Sequence, residues 1–177
     1  MPGLIALIES DLRRKAIWCY GADRPADRLR ALLSDGTGAM IAYRLMQWSR
    51  RRRLVPLEWA FNKINVLACG CVIGRGAEFG PGLVLVHSGG IVINGAVQGG
   101  ADVTIEHQVT VGAERGRSPR LGSGVFLGAG AKVIGLVTVG DGAKIGANAV
   151  VVRDVPPGAT AVGVPARVVV RDDRGEE

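Results

Sequence analysis

From Ile73 to Val151 a large apolar residue returns every six positions: Ile73, Phe79, Leu85, Ile91, Val97, Val103 and Val109, then Leu121, Leu127, Val133, Val139, Ile145 and Val151. The series breaks once, where Arg115 falls in the slot within residues 113–120. Four residues behind each apolar slot runs a second, mostly small series: Ala77, Leu83, Gly89, Gly95, Ala101, His107, Ala113, Val125, Ala131, Val137, Ala143 and Ala149. A repeat this short cannot bury a face alone, so its copies must stack and share a narrow core. The period predicts a parallel β-helix of hexapeptide repeats, with both series pointing inward. A triangular prism takes three hexads, about 18 residues, per turn, which divides the stretch into coils at 73–90, 91–108, 109–126, 127–144 and 145–162. Alternation then turns Val84, Ile93, Ile105 and Val111 outward, an apolar wall that predicts a trimer. The same alternation turns His87 outward and His107 inward.

Residues 1–68 follow a helical period instead. Leu4, Ile5, Ile8 and Leu12 share one face, and residues 20–25 break it with Gly21 and Pro25. A short helix over 27–33 follows, then one carrying Ile41, Leu45 and Trp48, then one begun by Pro56 with Leu57, Phe61, Ile64 and Ala68 on a face. The expected organisation is a helical cap at 1–68, covering the first coil, a β-helix domain at 69–170, and a charged tail at 171–177. Residues 113–120 leave the repeat as a charged loop holding Glu114, Arg115, Arg117, Pro119 and Arg120, and such excursions from a regular scaffold carry function. Pro156, Pro157 and Pro165 are expected to end strand pairing.

Composition agrees with thin coils rather than a conventional core. Of 177 residues, 47% are hydrophobic, only 5% are aromatic, and 27 are glycine. No uncharged apolar run reaches the length of a membrane span, and Glu9 and Asp11 follow Leu4 to Ile8 too closely for a signal peptide. Three cysteines (Cys19, Cys69, Cys71) form no disulfide framework, so a cytoplasmic protein is expected. The net charge of +6 owes much to Arg50, Arg51, Arg52 and Arg53, supported by Arg44. A solvated helix C-terminus accounts for that run. Contact with an acidic membrane surface is the sharper alternative and is not favoured, and nothing aromatic is interleaved to suit nucleic acid. The spacing of Gly140, Gly142 and Gly146 imitates a dinucleotide-binding loop but recurs with the hexads, so it belongs to the repeat.

The two histidines are the candidates for chemistry. His107, in an inward slot, reads as a structural residue satisfied by backbone. His87, outward and followed by Gly89 and Gly90, reads equally as surface or as a site where a ligand approaches the backbone.

Four motifs together resemble the serine acetyltransferases: His87-Ser88-Gly89-Gly90-Ile91-Val92-Ile93, Val109-Thr110-Val111-Gly112, Gly128-Ala129-Gly130-Ala131-Lys132-Val133-Ile134-Gly135 and Gly163-Val164-Pro165-Ala166-Arg167. The likeness covers about residues 73–169 and implies a left-handed β-helix, a homotrimer, and acetyl-CoA as co-substrate in the groove between prisms. It implies His87 as general base on a small-molecule hydroxyl, an imidazole near pKa 6.5 being suited to that work at neutral pH. It places the oxyanion contacts near Gly112 and Ala113, the acceptor contacts at Arg117 and Ser118, and CoA contacts at Ala113, Ala129, Lys144, Ala147 and Arg167, with no metal. The chain departs from the family at Val86 and Ser118, where the family carries aspartate and histidine. It departs again at Val72 or Val66, where the acid orienting the histidine is expected. A backbone carbonyl or another acid must then orient the imidazole, and Glu106, one 18-residue coil above Ser88, is the nearest candidate by stacking. These departures bring the chain closer to short members associated with exopolysaccharide synthesis, with a sugar hydroxyl as alternative acceptor. A non-catalytic trimeric scaffold and a zinc carbonic anhydrase are the competing classes. The latter requires three histidine ligands.

Overall fold

The computed structural model describes residues 2–169; the charged tail expected at 171–177 lies outside the described residues. Among the described residues four helices, α1 (Leu4–Tyr20), α2 (Pro25–Leu33), α3 (Thr37–Arg51) and α4 (Val55–Leu67), precede fifteen short strands. The strands stack into a left-handed β-helix with three walls. The first wall holds β1 (Val72–Ile73), β4 (Val92–Ile93), β7 (Thr110–Gly112), β10 (Lys132–Ile134) and β13 (Val150–Val151). The second holds β2 (Glu78–Phe79), β5 (Gln98–Gly99), β8 (Arg120–Leu121) and β11 (Thr138–Val139). The third holds β3 (Val84–Leu85), β6 (Thr104–Ile105), β9 (Phe126–Leu127), β12 (Lys144–Ile145), β14 (Thr160–Val162) and β15 (Arg167–Val169).

The turns are not uniform. Val72 pairs with Val92, Val92 with Thr110, Thr110 with Lys132 and Lys132 with Val150, so successive turns take 20, 18, 22 and 18 residues. Two extra residues enter after β3 and four after β7. Together they make one hexad, which is why a count in sixes regains its phase beyond the loop. Each wall points two residues per coil inward, at positions two apart, as with Ile91 and Ile93 or Ala131 and Val133. A shift of two therefore moves the large series onto its inward neighbour without exposing it. The small series has no such protection. From Gly89 to Ala113 it falls on turns, and His107 is exposed rather than buried.

The expected apolar wall is also corrected. Ile93, Ile105 and Val111 occupy inward positions and are buried, and Val84 is buried beneath α1 and α3, which both pack on β3. The exposed aliphatics of the prism include Val72, Val92, Leu136 and Val152, with Val162, Val164, Val168 and Val169 at its far end. At the far end, chain pairing does not stop at the prolines. It reverses, and β15 pairs antiparallel with β14.

The first coil has one edge of each wall without a strand beneath it, and the helices answer that with buried polar side chains. The Tyr43 hydroxyl donates to the Ala77 carbonyl and accepts from the Phe79 amide, both at 3.0 Å. The Arg44 guanidinium donates to the carbonyls of Phe79 at 2.9 Å and Gly80 at 2.6 Å. Asp11 accepts the Leu83 amide at 2.9 Å, and Asn62 donates to the Ile73 carbonyl at 3.0 Å. Arg44 and Asp11 also form a two-bonded pair at 2.7 and 2.9 Å with both side chains buried. Arg44 is thus part of the cap's interior, not of the basic run. In that run Arg50 pairs with Glu58 and Arg52 lies over the Trp48 ring. Among the described residues no helix is long and apolar enough to cross a membrane.

Removing one partner of a buried ion pair strands the other. Asp11→Ala is therefore expected to lower unfolding stability by about 3–5 kcal/mol, read from urea denaturation. Arg13→Ala, which breaks only the half-exposed pair with Glu9, should leave it close to wild type. A mild Asp11→Ala would show that the cap's polar contacts are incidental.

Candidate active site

The two residues inserted after β3 lengthen the turn that carries His87. Leu85 to Ile93 takes eight positions, where Ile105 to Val111 and Leu127 to Val133 take six. The widened turn sets His87 beside His107, which stands on the coil above. Their ring centroids lie 6.0 Å apart with the planes at 74°. Both side chains are about half exposed, 54% and 46%. With Asp35, Gly36, Ser88, Gly89, Gly90 and Gln108 they line a cleft of about 420 Å³.

Each imidazole has its own carboxylate. Asp35 Oδ2 lies 3.3 Å from His87 Nδ1, and Glu106 Oε2 lies 3.8 Å from His107 Nδ1. The expectation that Glu106 serves His87 is therefore corrected, because the first turn holds 20 residues and Glu106 pairs with the other histidine. Asp35 comes from the α2–α3 connection, 52 positions away in sequence. No spacing rule reaches that far; the only local signal was a Ser-Asp-Gly turn between two helices.

The α2–α3 connection is held against the end of β3. Gly36 has φ 76°, and a β-carbon there would run into the Leu85 carbonyl, so glycine is needed for the approach as well as for the left-handed backbone. From α1, the buried Lys15 ammonium donates to the Asp35 carbonyl, to Leu85 O at 2.9 Å and to Val86 O at 3.5 Å. Burial lowers its pKa to about 8, while a Cys19 thiolate, where ionised, and the Asp35 carboxylate act in the opposite direction. It therefore remains mostly protonated at neutral pH. Lys15 was not singled out by the sequence pattern.

The remaining candidates divide between two edges of the prism. Ala129 and Ala147 lie on the same edge as His87 and His107, the turns joining third wall to first. The ladder of that edge runs from Gly130 N to His107 O and from Asn148 N to Ala129 O. Lys144 on β12 and Arg167 on β15 are exposed on the third wall. Gly112, Ala113, Arg117 and Ser118 belong to the other edge, joining first wall to second. There Glu114 and Arg117 exchange backbone hydrogen bonds of 2.9 Å across a tight turn, and Ser118 Oγ donates to Asn94 Oδ1 at 2.8 Å. Arg117 lines a separate cleft with Glu114, Arg115 and residues 134–137. The chain does not itself bring Arg117 to His87.

The bacterial transferase hexapeptide (six repeats) family matches residues 118–153. The serine acetyltransferase of Helicobacter pylori is 43% identical over 145 residues, covering 80% of this chain and 85% of that protein. A solved serine acetyltransferase in complex with CoA superposes with a TM-score of 0.85 at 32% identity, covering 94% of this chain and 69% of that one. The Neisseria gonorrhoeae serine acetyltransferase in complex with serine gives 0.82 at 35% identity, covering 93% and 68%.

The exposure of His107 reverses the expectation for its removal. His107→Ala is expected to shift the thermal midpoint by less than about 2 °C, since surface substitutions stay within about 0.5 kcal/mol. A large loss of stability in calorimetry would return the residue to a structural role.

Proposed function

The chain belongs to the serine acetyltransferase family and is an acetyl-CoA-dependent O-acetyltransferase, and on that premise we propose that His87 is the general base that activates the acceptor hydroxyl. The observation that carries this is the Asp35 contact on Nδ1. A neutral imidazole that donates a hydrogen bond from Nδ1–H to a carboxylate keeps a lone pair on Nε2. That nitrogen takes the hydroxyl proton as the oxygen attacks, and holds it until it is returned to the departing sulfur. Acetyl-CoA supplies the thioester carbonyl that is attacked.

The residues above His107 suit such a co-substrate. Gly128, Ala129, Gly130, Gly146 and Ala147 keep the edge low, so an extended ligand can lie along backbone. Lys144 and Arg167 offer exposed cations of the kind that bind phosphates. Amides near Gly112 and Ala113 are proposed to face the developing oxyanion, and Arg117 and Ser118 to face the acceptor.

Because those four residues sit on the other edge, this site assignment needs a second copy of the chain. We therefore propose a homotrimer in which the loop of one protomer meets the His87 edge of the next. The exposed Val72, Val92, Leu136 and Val152, and Val162, Val164, Val168 and Val169 at the far end, offer it apolar surface. The acceptor read first is serine or a close hydroxy amino acid, with Arg117 supplying the carboxylate contact. The cleft around His87 is itself polar and free of guanidinium groups among its described lining residues, which favours a sugar hydroxyl as the second reading. Thiol release from acetyl-CoA with serine, homoserine and nucleotide sugars decides between them.

His87→Ala is expected to lower kcat by about 10²–10⁴-fold, with acetyl-CoA affinity little changed. Wild-type turnover would remove the general-base reading.

Arg117→Ala should raise the acceptor KM by roughly tenfold or more and that of acetyl-CoA far less. Protomers of His87→Ala and Arg117→Ala, each impaired alone, should regain activity when mixed and reassembled. Failure of assembled mixtures to recover would place both residues in separate functions.

A further inference from the structure

We propose that the helical region contributes a positioning residue to the acetyltransferase site: Asp35 orients His87, and Lys15 holds Asp35 in place. The proposal rests on the reading of His87 as general base and adds the source of its orientation, for which the β-helix itself offers no acid. Val72 and Val66 are apolar, Val86 is apolar, and Glu106 is turned to His107.

Asp35 is poorly held by its own surroundings. Its side chain is 82% exposed, and its hydrogen-bond partner in the structure is the His87 ring. An exposed carboxylate on a free loop would spend little time in one rotamer and would orient nothing. What distinguishes this loop is its anchoring. Lys15 bonds the Asp35 carbonyl and the Leu85 and Val86 carbonyls together. One ammonium thereby ties the backbone of the acid to the strand end that carries the base. Gly36 lets the same loop close on Leu85 O. The ammonium is buried, so its three contacts are shielded from competing water and salt. Beneath them Arg44 and Asp11 fix α1 to α3, so the elements bearing Lys15 and Asp35 move as one body with the first coil.

In the full-length chain, Asp35→Ala is expected to lower kcat about 10- to 100-fold, with KM for acetyl-CoA and the thermal midpoint unchanged. Asp35→Glu should recover part of the loss. In a His87→Ala background Asp35→Ala should cost nothing further, because there is no ring to orient. Lys15→Met should lower kcat to a similar degree and add little to Asp35→Ala when the two are combined. If Lys15→Met does not fold, Gly36→Ala tests the same contact, since its methyl pushes the loop off Leu85 while keeping both charges. It should reproduce the Asp35→Ala loss. Wild-type kcat for Asp35→Ala beside an impaired His87→Ala would overturn this inference and leave the general base standing. Wild-type kcat for His87→Ala would overturn both. Losses from Lys15→Met and Asp35→Ala that multiply would overturn the tether alone.

Discussion

The first coil of a β-helix has three strand edges with nothing beneath them, and the rest of the molecule depends on how those edges are satisfied. An open edge invites pairing with another chain, and its buried amides and carbonyls must find partners. Here the partners are side chains from helices. Tyr43, Arg44, Asp11, Asn62 and Lys15 each meet backbone of the first coil. Directional bonds of this kind fix where the helices sit, which an apolar contact alone would leave free to slide.

That docking also creates the site. With α1 and α3 locked on β3, the connection before α3 must cross the end of that strand, where the widened turn presents His87. The Lys15 ammonium serves both ends: it satisfies the Leu85 carbonyl of the coil and the Asp35 carbonyl of the loop. In the proposed acetyltransferase site capping and catalysis share a group, and the helices belong to the site as well as supporting it.

The prism contributes a different economy. Every full turn returns the chain to the same edge, so His87, His107, Ala129 and Ala147 come into one column although about sixty residues separate the first from the last. Parallel strands spaced about 4.8 Å apart rank them as rungs along a path suited to an extended co-substrate. The charged loop leaves from another edge, and the geometry of a single prism keeps it away. A site that draws on both edges is a property of an assembly.

The period of six determined the fold by itself, because burial of one stripe on a narrow core leaves no other packing for that pattern. Resemblance in four motifs was enough to find the family and to single out His87 as the candidate base. The sequence could not show that His107 faces the cleft. Insertions of two and four residues cancel in a count of sixes, and both inward slots are aliphatic, so the slip was invisible until strand pairing set the register. Nor could it show Asp35 and Lys15 at His87. Their contacts join residues 52 and about 70 positions apart across helix, loop and strand, and only the docking of the helices on the first coil brings them together.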